Sequence, residues 1–191
     1  MPRWVLVACA SVAVALAACG SPPSKEMDQA QGGIDAARAA GADRYAVTEY
    51  TAATSALQRA RDAVAQRDYR LALNEALDSR EHAQNAAREA ADSKAQLRAD
   101  VEREMAEIAV LLAQANTRLT GAARARVPAG TIEAQRRALA DVEERVQKAG
   151  AATGSGDYLS AKAALQGSKE QITKVVAALA RPTAQSARRP R

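Results

Sequence analysis

The feature that most constrains this chain is a run of 52 residues, Tyr69 to Thr120, that contains neither proline nor glycine. Proline and glycine are the residues that most often interrupt a helix, and at 1.5 Å per residue the run would form a helix about 78 Å long. In its second half, apolar side chains recur at steps of three or four residues: Leu97, Val101, Met105, Ile108, Leu112, Ala115 and Leu119. This spacing is typical of a helix with one buried face. The run therefore predicts a long central helix that other helices must cover.

Segments on both sides of this run have the same periodicity and supply the covering helices. We predict them at about 25–40, 47–66, from 131 to the turn at 150–157, and 158–180, with Gly41 as a helix C-cap. The chain has no Phe, four Tyr and one Trp, so it lacks the aromatic and β-branched runs that strands need. The predicted fold is all-α: an elongated antiparallel helical bundle or coiled coil of about five helices around one long central helix.

The sequence also suggests an internal repeat. A shift of 89 residues aligns Gly41 with Gly130, and the pair Asp68-Tyr69 with Asp157-Tyr158. Chance alignment of alanine-rich helices is the alternative, and the residues alone leave both readings open.

Residues 1–18 have the organisation of an export signal. Arg3 precedes an apolar segment that is too short for a bilayer core of about 30 Å, and small residues follow it. Leu16-Ala17-Ala18-Cys19 resembles a bacterial lipobox, which implies cleavage before Cys19 and attachment of acyl chains to it, with 19–24 as a tether. An ordinary secretory signal is the alternative. In a cell with two membranes, Gly20 and Ser21 in place of Asp favour the outer membrane, with the protein facing the periplasm.

The formal net charge of +5 comes from the two ends of the chain. Without Arg3 and the arginines of 181–191, 22 basic residues face 22 acidic ones, which argues against a nucleic-acid-binding face. We predict that 181–191 is a disordered basic tail. The tail arginines are candidates for contact with an anionic polymer or lipid headgroups, and a soluble terminus is the alternative. They are Arg181, Arg188, Arg189 and Arg191.

A family resemblance covers Ile34 to Ala90. Ala39-Ala40-Gly41-Ala42 before Tyr45-Ala46, then Leu57 and Ala60, then Asp68-Tyr69, resemble the domain-of-unknown-function family DUF 4398. The resemblance implies an alanine-rich helical lipoprotein of a Gram-negative envelope, with 25–95 as the family-like half and 96–180 as a second helical half. Val47 stands where the family usually has proline, and the family offers no catalytic residue to carry over.

The residue inventory argues against catalysis. His82 is the only histidine, and no free cysteine would remain beside an acylated Cys19. A metal site or an activated nucleophile needs more partners than this. We predict no enzyme activity, cofactor, metal, small-molecule substrate or nucleic-acid partner. The expected function is that of a membrane-anchored structural or adaptor module between outer membrane and cell wall (peptidoglycan) or envelope proteins. An accessory chaperone or a regulator of an envelope assembly machine is the alternative.

Overall fold

The computed structural model of the chain describes residues 21–180, which form helices and turns without a β-strand. The helices are α1 (Ser24–Ala40), α2 (Ala42–Tyr45), α3 (Val47–Ala65), α4 (Tyr69–Arg124), α5 (Ala129–Gly154), α6 (Tyr158–Leu165) and α7 (Ser168–Ala180). The all-α prediction is confirmed, and so is the long central helix, since α4 has 56 residues. Gly41 ends α1 in the left-handed conformation (φ 86°), as predicted.

The described part of the chain divides into two compact units, with the boundary between Ser93 and Lys94, and α4 contributes to both. Among the described residues, unit 1 consists of α1, α2, α3 and residues 69–93 of α4. Unit 2 consists of residues 94–124 of α4 together with α5, α6 and α7.

The core of unit 1 is built almost entirely from alanine. Ile34 and Leu57 are its only buried apolar side chains larger than a methyl group among the described residues. Such helices approach closely: a Cβ placed on Gly33 of α1 would lie 3.3 Å from the Cβ of Ala83 on α4. Because each buried CH₂ contributes only about 0.8 kcal/mol, a core of methyl groups stabilises its unit modestly.

The core of unit 2 has larger side chains. One cluster contains Val101, Ile108, Leu112, Ala115, Leu119, Ile132, Leu139, Val142, Ala149, Ala161, Leu165, Ile172, Val175 and Leu179. Five of the seven apolar residues predicted along α4 are buried there, and the other two, Leu97 and Met105, are half-buried. Unit 2 therefore has the larger hydrophobic stabilisation.

The same helix corner occurs in both units, 89 residues apart. Arg67 and Gly156 both have left-handed backbones, with φ of 63° and 76°. The following residues, Asp68 and Asp157, cap the next helix: each carboxylate accepts a hydrogen bond from the backbone N–H three residues later, at 3.0 and 3.2 Å. This matching geometry is what the internal repeat predicts.

The structure differs from the prediction at several glycines. α5 continues through Gly150 to Gly154, so the turn predicted at 150–157 is confined to 155–157. The last predicted helix, 158–180, is interrupted at Gln166 and Gly167, where Gly167 has a φ of 79°. The Gln166 carbonyl, released from the helix, accepts a hydrogen bond from Arg145 Nη1 at 3.3 Å. Conversely, α4 continues through Gly121 to Arg124, because a single glycine costs only about 1 kcal/mol in a helix.

Candidate functional site

The functional residues predicted from the sequence lie outside the part of the chain that the structure describes. These are Cys19 at one end and Arg181, Arg188, Arg189 and Arg191 at the other. Their proposed roles remain predictions. The described residues add a site that the sequence reasoning did not identify, at the end of unit 2 that contains Ala180, the last described residue.

The two units carry opposite net charges. Residues 21–93 contain nine basic and twelve acidic residues, and residues 94–180 contain thirteen basic and ten acidic ones. The equal numbers of basic and acidic residues in 21–180 therefore result from an acidic unit 1 and a basic unit 2.

The excess positive charge of unit 2 lies where α4 ends. No Asp or Glu occurs between residues 108 and 132, while Arg118, Arg124 and Arg126 are all exposed. Within the described residues, none of these three guanidinium groups has a carboxylate partner, and we call the three the basic end of unit 2. Most other cations of unit 2 are paired: Arg98 with Glu102, Arg103 with Asp100, Arg136 and Arg137 with Glu133, Arg145 with Asp141, Lys148 with Glu144, and Lys169 with Glu107.

A shallow apolar groove of about 240 Å³ lies beside the basic end. Its walls come from the end of α4 with the following turn and from the end of α7: Gly121, Ala122, Ala125, Val127, Val176 and Leu179. Arg118 lines the same groove, and so does Ala180, after which the sequence continues into the arginine-rich tail. Two segments of unit 2 without acidic residues, 108–132 and 171–180, therefore meet here.

Polar contacts hold α7 in place against α4 and α5. Lys169 of α7 donates a hydrogen bond to Glu107 of α4, which lowers the pKa of Glu107 below its ordinary value of 4.5 and raises the pKa of Lys169 above 10.5. Gln171 Nε2 donates to the carbonyl of Ala138 on α5 at 2.9 Å. These contacts align α7 so that its last turn forms one wall of the groove.

His82 has a local structural contact in unit 1. Its Nδ1 lies 2.9 Å from Glu49 Oε2, so the pair joins α4 to α3. Across residues 21–180, no group of three or more His, Cys, Asp or Glu side chains is arranged to hold a metal ion. In the same residues, no helix has the length and apolar character needed to span a bilayer.

One signal in the sequence does point to the basic end: the stretch of 25 residues, 108–132, that contains three arginines and no carboxylate. Summing charge over the whole body conceals it, because the acidic residues of unit 1 cancel the excess. The groove has no comparable signal, since it depends on two helix ends that are more than 50 residues apart in sequence.

Comparison with other proteins identifies no relative. The chain matches no protein-family model, and neither curated proteins nor solved structures give a match. The resemblance to DUF 4398 accordingly remains a sequence-based prediction.

Proposed function

We propose that this protein is an envelope lipoprotein, anchored through acyl chains on Cys19, that acts as a non-catalytic adaptor between the outer membrane and the cell wall. The anchor precedes the acidic unit 1, and the basic tail follows the basic unit 2. In this proposal the N-terminal end is held at the membrane and unit 2 with its tail contacts anionic wall polymer.

The observation that carries the proposal is the basic end of unit 2. Three exposed guanidinium groups without carboxylate partners are available to anions, whereas paired arginines would first have to leave their partners. In sequence, Arg181 follows Ala180 directly and the other three tail arginines come within the next ten residues, so the segment after unit 2 adds four positive charges. Anionic carboxylates of peptidoglycan are suitable partners for such a cluster.

Co-sedimentation with isolated peptidoglycan sacculi tests the wall contact. Residues 20–191 are compared with a variant lacking 181–191, with the triple variant Arg118→Gln, Arg124→Gln, Arg126→Gln, and with both changes combined. We expect each change to reduce the sedimented fraction, the combination to abolish it, and 0.5 M salt to act similarly because screening shortens the Debye length to a few Å.

A charge-matched control separates the basic end from net charge. Arg98→Gln, Arg103→Gln, Arg137→Gln removes the same charge from unit 2 at exposed arginines that are already paired. This control should sediment like the unaltered protein. If it fails equally, or if the unaltered protein remains in the supernatant, the proposed wall contact is wrong.

The anchor is tested separately. Full-length protein expressed in a Gram-negative host should incorporate labelled palmitate and fractionate with the outer membrane, and Cys19→Ala should abolish both. Release of Cys19→Ala into the periplasm without a loss of label would refute acylation at this residue.

A further inference from the structure

The groove beside Arg118 has no assigned occupant, and its size, lining and charge restrict what it can hold. Apart from Arg118, its walls consist of glycine, alanine, valine and leucine, which offer apolar contacts and leave side-chain polar recognition to Arg118. A bound group must therefore combine a small aliphatic part with a negative charge.

Volume decides between a lipid and a smaller ligand. About 240 Å³ is below the range of about 300–1,000 Å³ that is usual for pockets enclosing drug-sized molecules. A lipid acyl chain extends about 15 Å, half of a hydrocarbon core of roughly 30 Å, and needs a longer channel. One or two small aliphatic side chains suit the available space better.

The positive charge of Arg118 determines which polar group a ligand of the groove should carry. Arg118 has no carboxylate partner among the described residues, and a guanidinium group binds a carboxylate through two parallel hydrogen bonds. Arg124 and Arg126 add positive charge nearby without lining the groove. A carboxylate therefore fits better here than a neutral or cationic group.

We infer that the groove binds a short peptide with small aliphatic side chains and a free α-carboxylate, which Arg118 receives while the methyl groups contact Ala122, Val127 and Val176. The C-terminal alanines of bacterial cell-wall stem peptides have this chemistry, so the inference rests on the proposed function for the identity of its natural ligand. The groove would then recognise a specific part of the cell wall, in addition to the general attraction between opposite charges.

The test is a titration of ¹⁵N-labelled residues 20–191 with N-acetyl-Ala-Ala, followed by NMR. The expected result is a set of saturable shifts centred on the backbone amides of Gly121, Ala122 and Val176. The C-terminal amide of the same dipeptide should bind at least tenfold more weakly, and so should the free acid to Arg118→Gln, because a hydrogen bond to a charged group is lost in both cases.

Gly121 provides a blocking variant that retains the fold. A Cβ at this position meets nothing within 4 Å, and leucine is a better helix former than glycine, so Gly121→Leu should fold and fill the groove. Gly32→Leu is the matched control, because Gly32 is also helical with open space around it but belongs to unit 1. Gly121→Leu should lose the dipeptide shifts, and Gly32→Leu should keep them.

The other outcomes decide against the inference or against the proposed function. Equal binding of the amide, undiminished binding by Gly121→Leu, or shifts confined to other residues would overturn it. Binding of decanoate without binding of the dipeptide would indicate a lipid site instead, and binding that appears only after deletion of 181–191 would indicate that the tail occupies the groove. Loss of the shifts with sacculus binding intact refutes the groove alone, whereas intact shifts without sacculus binding refute the proposed function alone.

Discussion

Replacing each of two adjacent glycines in α1 with alanine should change stability in opposite directions. A Cβ on Gly32 would meet nothing within 4 Å, whereas a Cβ on Gly33 would lie 3.3 Å from the Cβ of Ala83, closer than the ordinary contact range of 3.4–4 Å. Ala83 has no side-chain torsion with which to move away. The added methyl group must therefore push α1 and α4 apart.

The magnitudes follow from helix propensity and packing. Alanine is favoured over glycine inside a helix by about 0.8–1.0 kcal/mol, so Gly32→Ala should stabilise unit 1 by about that amount. Gly33→Ala has the same gain but adds overpacking, which costs about 1–3 kcal/mol in a well-packed core, so the net change should be a destabilisation of about 1 kcal/mol. For a domain of 60–100 residues, 1 kcal/mol corresponds to about 4–8 °C in Tm.

Thermal and guanidinium unfolding of residues 20–191 measure the difference. Near-ultraviolet circular dichroism of tyrosine is the suitable signal, since Tyr45, Tyr50 and Tyr69 belong to unit 1 and only Tyr158 belongs to unit 2. Ala83→Gly should partly rescue Gly33→Ala, with a coupling energy of about 1 kcal/mol in the double-mutant cycle. Equal stabilisation by both glycine replacements, or the absence of coupling, would refute the argument that Gly33 permits close helix approach.

Three further predictions concern polar and backbone features. Ser79→Ala should destabilise unit 1 by about 1 kcal/mol, because the buried Ser79 hydroxyl donates a hydrogen bond to a backbone carbonyl at 2.8 Å. Ser168→Ala should be neutral or stabilising, because the buried Ser168 hydroxyl has no partner among the described residues. Calorimetry of the two variants distinguishes these outcomes. Arg67→Gly should raise Tm, since glycine adopts a φ of 63° without the cost of about 1–2 kcal/mol that other residues incur, and an unchanged or lower Tm would contradict this. The Glu107–Lys169 pair should stabilise unit 2 fully between pH 4.5 and 10.5, the ordinary pKa values of the two groups. This stabilisation is lost as pH falls through the lowered pKa of Glu107 or rises through the raised pKa of Lys169. Glu107→Gln should therefore flatten both limbs of a Tm-against-pH curve at low salt.

The positions of most helices could be predicted because local signals determine them. α4 follows from apolar periodicity without interruption, and the corner at Asp68 follows from capping chemistry. The outcome at individual glycines could not be predicted, because it depends on tertiary surroundings. Gly33 is retained inside a helix at a close helix contact, Gly121 lies in open space, and Gly167 interrupts a helix whose freed carbonyl finds a donor in another helix.

The candidate site, like the fold, could be predicted from the sequence only in part. The three arginines and the absence of acidic residues from 108 to 132 are visible in sequence once charge is counted by segment. The groove is not visible, because its walls depend on how α7 packs against α4. That packing is maintained by contacts such as Lys169 with Glu107, which join residues 62 positions apart.

That α4 belongs to both units has a consequence for the order in which the molecule forms. Starting a helix is costly because several residues must be ordered for the first hydrogen bond, while each further residue adds one bond. Unit 2, with its larger side chains, can order residues 94–124 and so provide a helix end from which residues 69–93 extend without a new nucleation step. The alanine-cored unit is synthesised first, yet it receives this help only after the second unit has been made, and we expect its helices to become protected from hydrogen exchange last.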